Sequence, residues 1–345
     1  MTWRKRTILL TGGSGVLGRA LIDELAHDFD IVCMRHRTPV ADPRISEFSG
    51  DFAHPTLGLD TADYRRLTQR VDAVVHSAAV TSWKEDPETI LRTNLAGPRA
   101  LLRLAGDAEV PLYFFSTAFV ANPPGDGSSF PGAATYVQSK IDAEQLVRDD
   151  PAQTVIVRPS VVSGSTVDGR MSAFQGLHRV LGGVVRGRVP LIPCDSDSLI
   201  DTIPQDLVAA VLGKLLRENI VEGEFWLSAG PEALHAGDIL TLCREIGEEL
   251  GITSAPPRFV PSEAVDRLLL PLLEDALPPD AQAMFRDFLE FTWLFQTPEP
   301  LPTSMSELGF GPQVTRGALL EATAKSLRYW ARTKGLGRTD QARVA

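Results

Sequence analysis

Thr7-Ile8-Leu9-Leu10-Thr11-Gly12-Gly13-Ser14-Gly15-Val16-Leu17-Gly18 reads as a short apolar strand running into a glycine-rich turn and then a helix. The continuous run Ile8-Leu9-Leu10 suits a strand buried on both faces of a parallel sheet, and a helical apolar pattern follows over residues 16–26. Glycine lets the backbone turn tightly and approach a pyrophosphate, whose charge then sits at the helix N-terminus among outward-pointing N–H groups. Gly12, Ser14, Gly15, Val16, Leu17 and Gly18 are therefore candidate dinucleotide-binding positions; a tight strand–helix turn without a ligand is the plainer alternative.

Outward from this turn, short apolar runs alternate with helical patterns, the signature of βαβ units. Strands are expected over residues 31–34, 45–48, 71–77, 112–116 and 154–161, with helices over 86–105 and 135–147. The fold class is α/β, a Rossmann-like doubly wound parallel sheet with a smaller, mainly helical C-terminal substrate lobe. Residues 121–132 hold three Pro and three Gly and form a loop placed to rim a site. Later segments read as a helix (171–185), a short strand (199–204), a helix (205–216) and a strand (225–228), with the remainder largely helical. The expected division is residues 1–165 for the cofactor domain, 166–335 for the substrate lobe with some elements returning to the sheet, and 336–345 for a disordered tail.

Composition removes other classes. Against 34 Lys and Arg stand 44 Asp and Glu, a net charge of −10 over 345 residues, which excludes nucleic acid as the main ligand. The 43% hydrophobic content supports a packed core. No segment approaches the roughly 20 apolar residues of a membrane span, and the N-terminal run is too short for a signal peptide. Cys33, Cys194 and Cys243 have neither the even count of a disulfide framework nor the close pairing of a metal site. A soluble cytoplasmic protein without a metal is expected, its oligomeric state open. Seven Lys and Arg against two Asp and Glu in residues 316–345 read as a solvated terminal helix and tail.

Four further places carry chemistry. The second strand ends Cys33-Met34-Arg35-His36-Arg37, without the acid that would bind a ribose 2′-hydroxyl; Arg35 and Arg37 suit a 2′-phosphate and hence NADPH, or are solvated loop arginines. Asp51, before Phe52, can accept from an adenine amino group or stabilise a turn. Tyr136 and Lys140 stand at i and i+4, on one helical face, where a cation one turn away favours the phenolate and lets the pair exchange a proton with a carbonyl oxygen. Ser116-Thr117, closing an apolar strand, supplies a hydroxyl to the same oxygen.

Together these residues resemble the extended short-chain dehydrogenase/reductases, most closely the thioester reductase and fatty acyl-CoA reductase branch. The resemblance is carried by Leu57-Gly58-Leu59-Asp60, His76-Ser77-Ala78-Ala79, Thr93-Asn94-Leu95-Ala96-Gly97, Ser116-Thr117-Ala118-Phe119-Val120, Tyr136-Val137-Gln138-Ser139-Lys140 with Ala143-Glu144-Gln145-Leu146, and Arg158-Pro159-Ser160. It covers residues 7 to about 165 well and is patchy afterwards. It implies a catalytic Thr117, Tyr136 and Lys140, a pyrophosphate cradle at Gly12, Gly15 and Gly18, cleft walls at Ala78 and Ala79, and Pro159 and Ser160 beside the nicotinamide. His76 is expected to be a satisfied core residue, and Asn94 a packing residue rather than a proton relay.

The resemblance implies an NADPH-dependent reductase acting on an acyl-CoA or an acyl group carried by an acyl carrier protein, giving an aldehyde, with further reduction to the alcohol left open. An alcohol, sterol or sugar dehydrogenase or epimerase is the alternative, and a cofactor-sensing protein a third. Asp197-Ser198-Leu199 is set aside as a carrier attachment site because a β-like run and Pro204 follow it. Leu268, Leu269, Leu270, Leu272 and Leu273, with Phe285, Phe288, Phe291, Trp293 and Phe295, form either core or the apolar wall of an acyl tunnel.

Overall fold

β1 (Thr7–Thr11) is buried at every residue and lies in the interior of the main sheet, with strands on both sides. The computed structural model describes residues 4–82, 85–123, 131–174, 176–261, 289–290, 296–297 and 299–336. After β1 come α1 (Val16–Leu25), β2 (Asp30–Arg35), β3 (Ile45–Ser49), α2 (Thr61–Arg70), β4 (Ala73–His76), α3 (Pro87–Ala108), β5 (Leu112–Phe115), α4 (Pro131–Asp149) and β6 (Thr154–Pro159). Then follow β7 (Val161–Ser163), α5 (Gly176–Val185), β8 (Leu191–Ile192), β9 (Leu199–Ile200), β10 (Thr202–Pro204), α6 (Gln205–Arg217) and β11 (Gly223–Leu227). The chain continues through β12 (Leu234–His235), α7 (Ala236–Glu249), β13 (Arg258–Phe259) and β14 (Gln296–Thr297) to α8 (Arg316–Thr333).

The main sheet is parallel throughout, in the order β11-β6-β5-β4-β1-β2-β3. This is the doubly wound sheet expected from the sequence. Winding runs outward from β1 through β2 to β3, then resumes at β4 and proceeds the other way, so the connections after β1 and β4 diverge. Such a switch point leaves a crevice at the carboxyl ends of the strands. Leu9, Val32, Val74, Phe114 and Ile156, from five neighbouring strands, form an apolar layer with Leu67, Leu101, Leu104, Ala143 and Val147 of α2, α3 and α4. Each of the leucine, valine, isoleucine and phenylalanine side chains contributes about 1.5–3 kcal/mol on burial. α1 packs against α6, with Arg217 paired to Glu24 at 2.8 Å and Asp28 at 2.7 Å.

Local sequence explains where helices begin. Asp86 accepts from the Thr89 N–H at 3.0 Å and Pro87 fills the first turn of α3, while Asp60 accepts from the Asp63 N–H at 2.8 Å to open α2. Apolar periodicity does not announce α2, because Leu67 is its one buried side chain.

By contact, the chain forms two units. One contains residues 1–160, 205–228 and 302–310, and the other residues 161–204, 229–301 and 311–345. In the second unit α5, α7 and α8 pack together, with Trp330 against Gly182 and the Arg186 guanidinium 4.7 Å over its ring. Two expectations are corrected here. The helix expected over 171–185 begins at Gly176, since Gly169 abuts the backbone of Lys325 and Ser326 and the Phe174 ring packs on His178 and Tyr329. The single strand expected over 199–204 is two strands with different partners: β9 pairs antiparallel with β12 and β14, and β10 parallel with β7. The break is Asp201, whose buried carboxylate accepts from the Ala229 N–H at 2.8 Å and the Gly230 N–H at 2.9 Å.

No described helix is long and apolar enough to cross a membrane. The leucines at 268–273, the aromatic residues Phe285, Phe288, Phe291, Trp293 and Phe295, most of the loop expected over 121–132 (residues 124–130) and the tail from 337 lie outside the described residues.

Replacing Asp201 by Ala orphans two buried N–H groups at about 1–3 kcal/mol each, so the urea midpoint should fall sharply; an unchanged midpoint would show that water satisfies them.

Candidate active site

At the carboxyl end of β1 the chain turns through Gly12, whose φ of +78° favours glycine and where a Cβ would stand 2.7 Å from the Ala78 nitrogen. A Cβ on Gly18 would overlap the Gly12 carbonyl, so α1 can start this close to the strand only with glycine there. Gly15 caps α1 in an extended conformation without a side-chain hydrogen bond, and no acidic residue occupies the first turn. The helix N-terminus thus keeps donors and positive dipole for an anion.

A cleft of about 470 Å³ opens over this turn, in the unit that holds the main sheet. Of the residues singled out in the sequence, Gly12, Ser14, Gly15, Arg35, Arg37, Phe52, Ala78 and Ala79 line it. Val16, Leu17 and Gly18 lie behind it in the first turn of α1. Asp51 is not in the lining; one carboxylate oxygen accepts from the Ala53 N–H at 2.9 Å, the turn-stabilising role. The lining adds Thr38, Val40 and Ser77, whose hydroxyl donates to the Thr11 carbonyl at 2.8 Å. Ser77 belongs to the His76–Ala79 stretch that carries the resemblance but was not singled out within it, and Thr38 had only its adjacency to Arg37 as a signal.

Beneath the cleft, His76 is held between Phe52 and Phe114, with Nδ1 2.7 Å from the Thr11 hydroxyl. Burial first, and Lys140 second, lower its pKa to about 3, so it is a neutral core residue. Asn94 accepts from the Val80 N–H at 2.8 Å and donates to the Val80 carbonyl at 3.1 Å and the Ser139 hydroxyl at 2.9 Å. It is fully engaged in tying the segment after β4 to α3 and α4.

Thr117, Tyr136 and Lys140 are all buried. Thr117 follows β5, accepts from the Phe119 N–H at 3.4 Å and shares a hydrogen bond with the Tyr136 side chain. Burial raises Tyr136 to about 12 against the opposing Thr117 hydrogen bond, and burial lowers Lys140 to about 8 against the opposing charge of Glu144. In this geometry the Tyr136 shift follows from burial and the Thr117 hydrogen bond, while Lys140 is turned to a backbone carbonyl. The ammonium donates to the Phe115 carbonyl at 3.0 Å, 5.2 Å from the centre of the Phe114 ring, and desolvation keeps the phenol protonated. Ser116 and Ser160, at the ends of adjacent strands β5 and β6, have buried hydroxyls without a hydrogen-bond partner. Pro159 is the last residue of β6. Uncapped helix N–H groups at one end and orphaned hydroxyls at the strand ends fit a bound dinucleotide with a polar ring substituent.

Helix α4 carries Tyr136, Lys140, Glu144 and Arg148 at i, i+4 spacing. Arg158 of β6 donates twice to Glu144, each at 2.8 Å, and once to Glu224 of β11 at 2.5 Å, with its guanidinium 4.4 Å over Trp226. Arg148 closes the network to Glu144 at 2.6 Å and Glu224 at 2.7 Å. The sequence displayed Glu144 and Arg158 only as points of resemblance; their pairing is a product of the fold.

A family model described as male sterility protein matches residues 34–212, more than half of the chain. The chain belongs to the male sterility protein family. It is thereby an extended short-chain dehydrogenase/reductase with an NAD(P)-binding site. The family span includes Arg35, Arg37, Thr117, Tyr136 and Lys140. Among similar proteins, an isonitrile lipopeptide synthase of Streptomyces coeruleorubidus is 32% identical over 244 residues, covering 60% of this chain and 17% of the synthase. The chain spans less than a fifth of the length of the curated relatives it matches. The terminal R domain from the myxalamid PKS-NRPS biosynthetic pathway superposes with a TM-score of 0.70 at 25% identity, over 96% of this chain and 93% of that one. The reductase (R) domain of a Mycobacterium tuberculosis nonribosomal peptide synthetase shares the fold with a TM-score of 0.67 at 22% identity, over 96% of this chain and 92% of that one.

Truncating Arg158 to Ala leaves Glu144 buried beside fewer charges and should cost about 3–5 kcal/mol in denaturant unfolding. Glu224→Ala, at the half-exposed end of the network, should cost about 1 kcal/mol or less. Equal costs would show that the network is not organised around Arg158.

Proposed function

We propose that this protein reduces an acyl thioester to an aldehyde with NADPH as reductant, the acyl group arriving on a carrier protein or on CoA. The observation that carries the reading is the buried, hydrogen-bonded Thr117–Tyr136 pair at the end of β5, with Lys140 one turn beyond on α4. The R domains and the lipopeptide synthase it resembles support a carrier-bound thioester in particular.

NADPH, when bound, supplies a hydride to the thioester carbonyl carbon. Gly12, Ser14 and Gly15 with the N-terminus of α1 would hold its pyrophosphate, Arg35 and Arg37 its 2′-phosphate, Phe52 its adenine side, and Ser160 its carboxamide. Tyr136 is protonated at neutral pH, so its hydroxyl can hydrogen-bond the substrate carbonyl oxygen and give it a proton as negative charge develops there. Thr117 donates to the same oxygen. Lys140 remains mainly an ammonium below about pH 8 and lends its charge to this end of the cleft. The tetrahedral hemithioacetal then breaks its C–S bond, the oxygen's proton leaves with the sulfur, and free thiol and aldehyde result. Leu268 to Leu273 and the aromatic residues at 285–295 support, on composition alone, an apolar acyl chain, each buried methylene contributing about 0.8 kcal/mol.

Oxidation of NADPH should accompany release of one free thiol per aldehyde, followed by absorbance and a chromogenic disulfide; consumption with ketones or sugar nucleotides and no thiol from any thioester would move the assignment to an alcohol dehydrogenase or epimerase. NADPH should exceed NADH by more than about tenfold in kcat/KM, since one charge-assisted contact is worth about 1.5–3 kcal/mol. Tyr136→Phe should lower turnover by roughly 10²–10⁴ with folding intact. Because Lys140 loses its proton near pH 8, kcat/KM should decline as pH rises above that value; a level profile there would show that its charge is not needed.

A further inference from the structure

Glu47, on β3, is not part of the cleft lining, yet it hydrogen-bonds one of the pieces that shape the cleft and stands beside another. Its carboxylate accepts from the Val40 N–H at 3.0 Å and stands 4.0 Å from Arg35 Nε. In the parallel register Cys33 pairs with Glu47 and Arg35 with Ser49, so Arg35 and Glu47 emerge on the same face of the β2–β3 pair. A guanidinium is a rigid fork with one edge at Nε and another between its terminal nitrogens. Glu47 comes closest on the Nε side, which leaves the terminal nitrogens to face another anion. The Val40 contact also fixes the end of the turn that presents His36, Arg37 and Thr38 to the cleft.

We infer that Glu47 is a positioning residue for cofactor discrimination: it holds Arg35 and the turn ending at Val40 so that the guanidinium meets a phosphate on the 2′-position of the cofactor ribose. This rests on the proposal that Arg35 binds that phosphate. The sign of the effect separates positioning from plain electrostatics. A carboxylate beside a phosphate repels it, so charge alone makes removal of Glu47 strengthen phosphate binding. Positioning makes the same removal weaken it, because Arg35 loses the partner that aims it.

The test is calorimetric binding of adenosine 2′,5′-bisphosphate and of 5′-AMP to the full chain and to its Glu47→Gln, Glu47→Ala and Arg35→Ala variants. Glu47→Gln keeps an oxygen for the Val40 N–H and loses the charge; it should weaken the bisphosphate by about three- to fivefold, the scale of one partly exposed ion pair, and leave 5′-AMP unchanged. Glu47→Ala, which also releases Val40, should weaken the bisphosphate further, and Glu47→Gln alone suffices if the Ala variant fails to fold. Equal or tighter bisphosphate binding by Glu47→Gln, or an equal loss for both ligands, overturns the role given to Glu47. An Arg35→Ala variant that discriminates the two ligands as well as the unmodified chain overturns the underlying assignment of Arg35 instead.

Discussion

The buried ion pair between Arg158 and Glu144 fixes where the reacting end of the site can be. Two charges taken out of water are not a source of stability by themselves, because desolvation offsets most of their attraction. Their consequence is registration: Glu144 can meet Arg158 through two 2.8 Å hydrogen bonds only if α4 lies on β6 in one way. Lys140 and Tyr136 precede Glu144 by one and two turns on the same face, so the pair sets their height along the sheet. The Lys140 bond to the Phe115 carbonyl ties the same helix to β5, one strand further in.

Burial that allows this registration also decides the protonation states. Desolvation pushes Tyr136 up to about 12 and Lys140 down to about 8, leaving a neutral hydroxyl donor and an ammonium whose charge depends on pH near the physiological range. Glu144 opposes the fall at Lys140, so one carboxylate both places the lysine and helps it stay charged. At the other end of the crevice the design is different: glycine backbone, an uncapped helix N-terminus and half-exposed or exposed arginines, all suited to an anion that arrives from solvent.

How much was legible in the sequence follows from the range of each interaction. Strand runs and the glycine turn are local patterns and read correctly as a doubly wound sheet with an NAD(P)-binding site. The Arg158 network joins residues 14 and 66 positions apart, and neither separation leaves a local trace. Spacing placed Lys140 one turn from Tyr136 but could not reveal that the Phe115 carbonyl takes the ammonium, which is a contact made only by the fold. Asp51 was ambiguous for the same reason, since only the fold shows its carboxylate turned to Ala53. The β9–β10 break escaped because Asp201 interrupts an otherwise β-like run through contacts with residues 229 and 230.

In the proposed reaction a dinucleotide seated on the glycine turn reaches the Thr117–Tyr136 pair closely enough to reduce a carbonyl there. The most direct test is isotope transfer from NADPH deuterated at the reactive position of nicotinamide C4, with an acyl thioester as acceptor and mass spectrometry of the aldehyde. One deuterium is expected at the former thioester carbon. Aldehyde formed without the label, from cofactor consumed with the label, would contradict it.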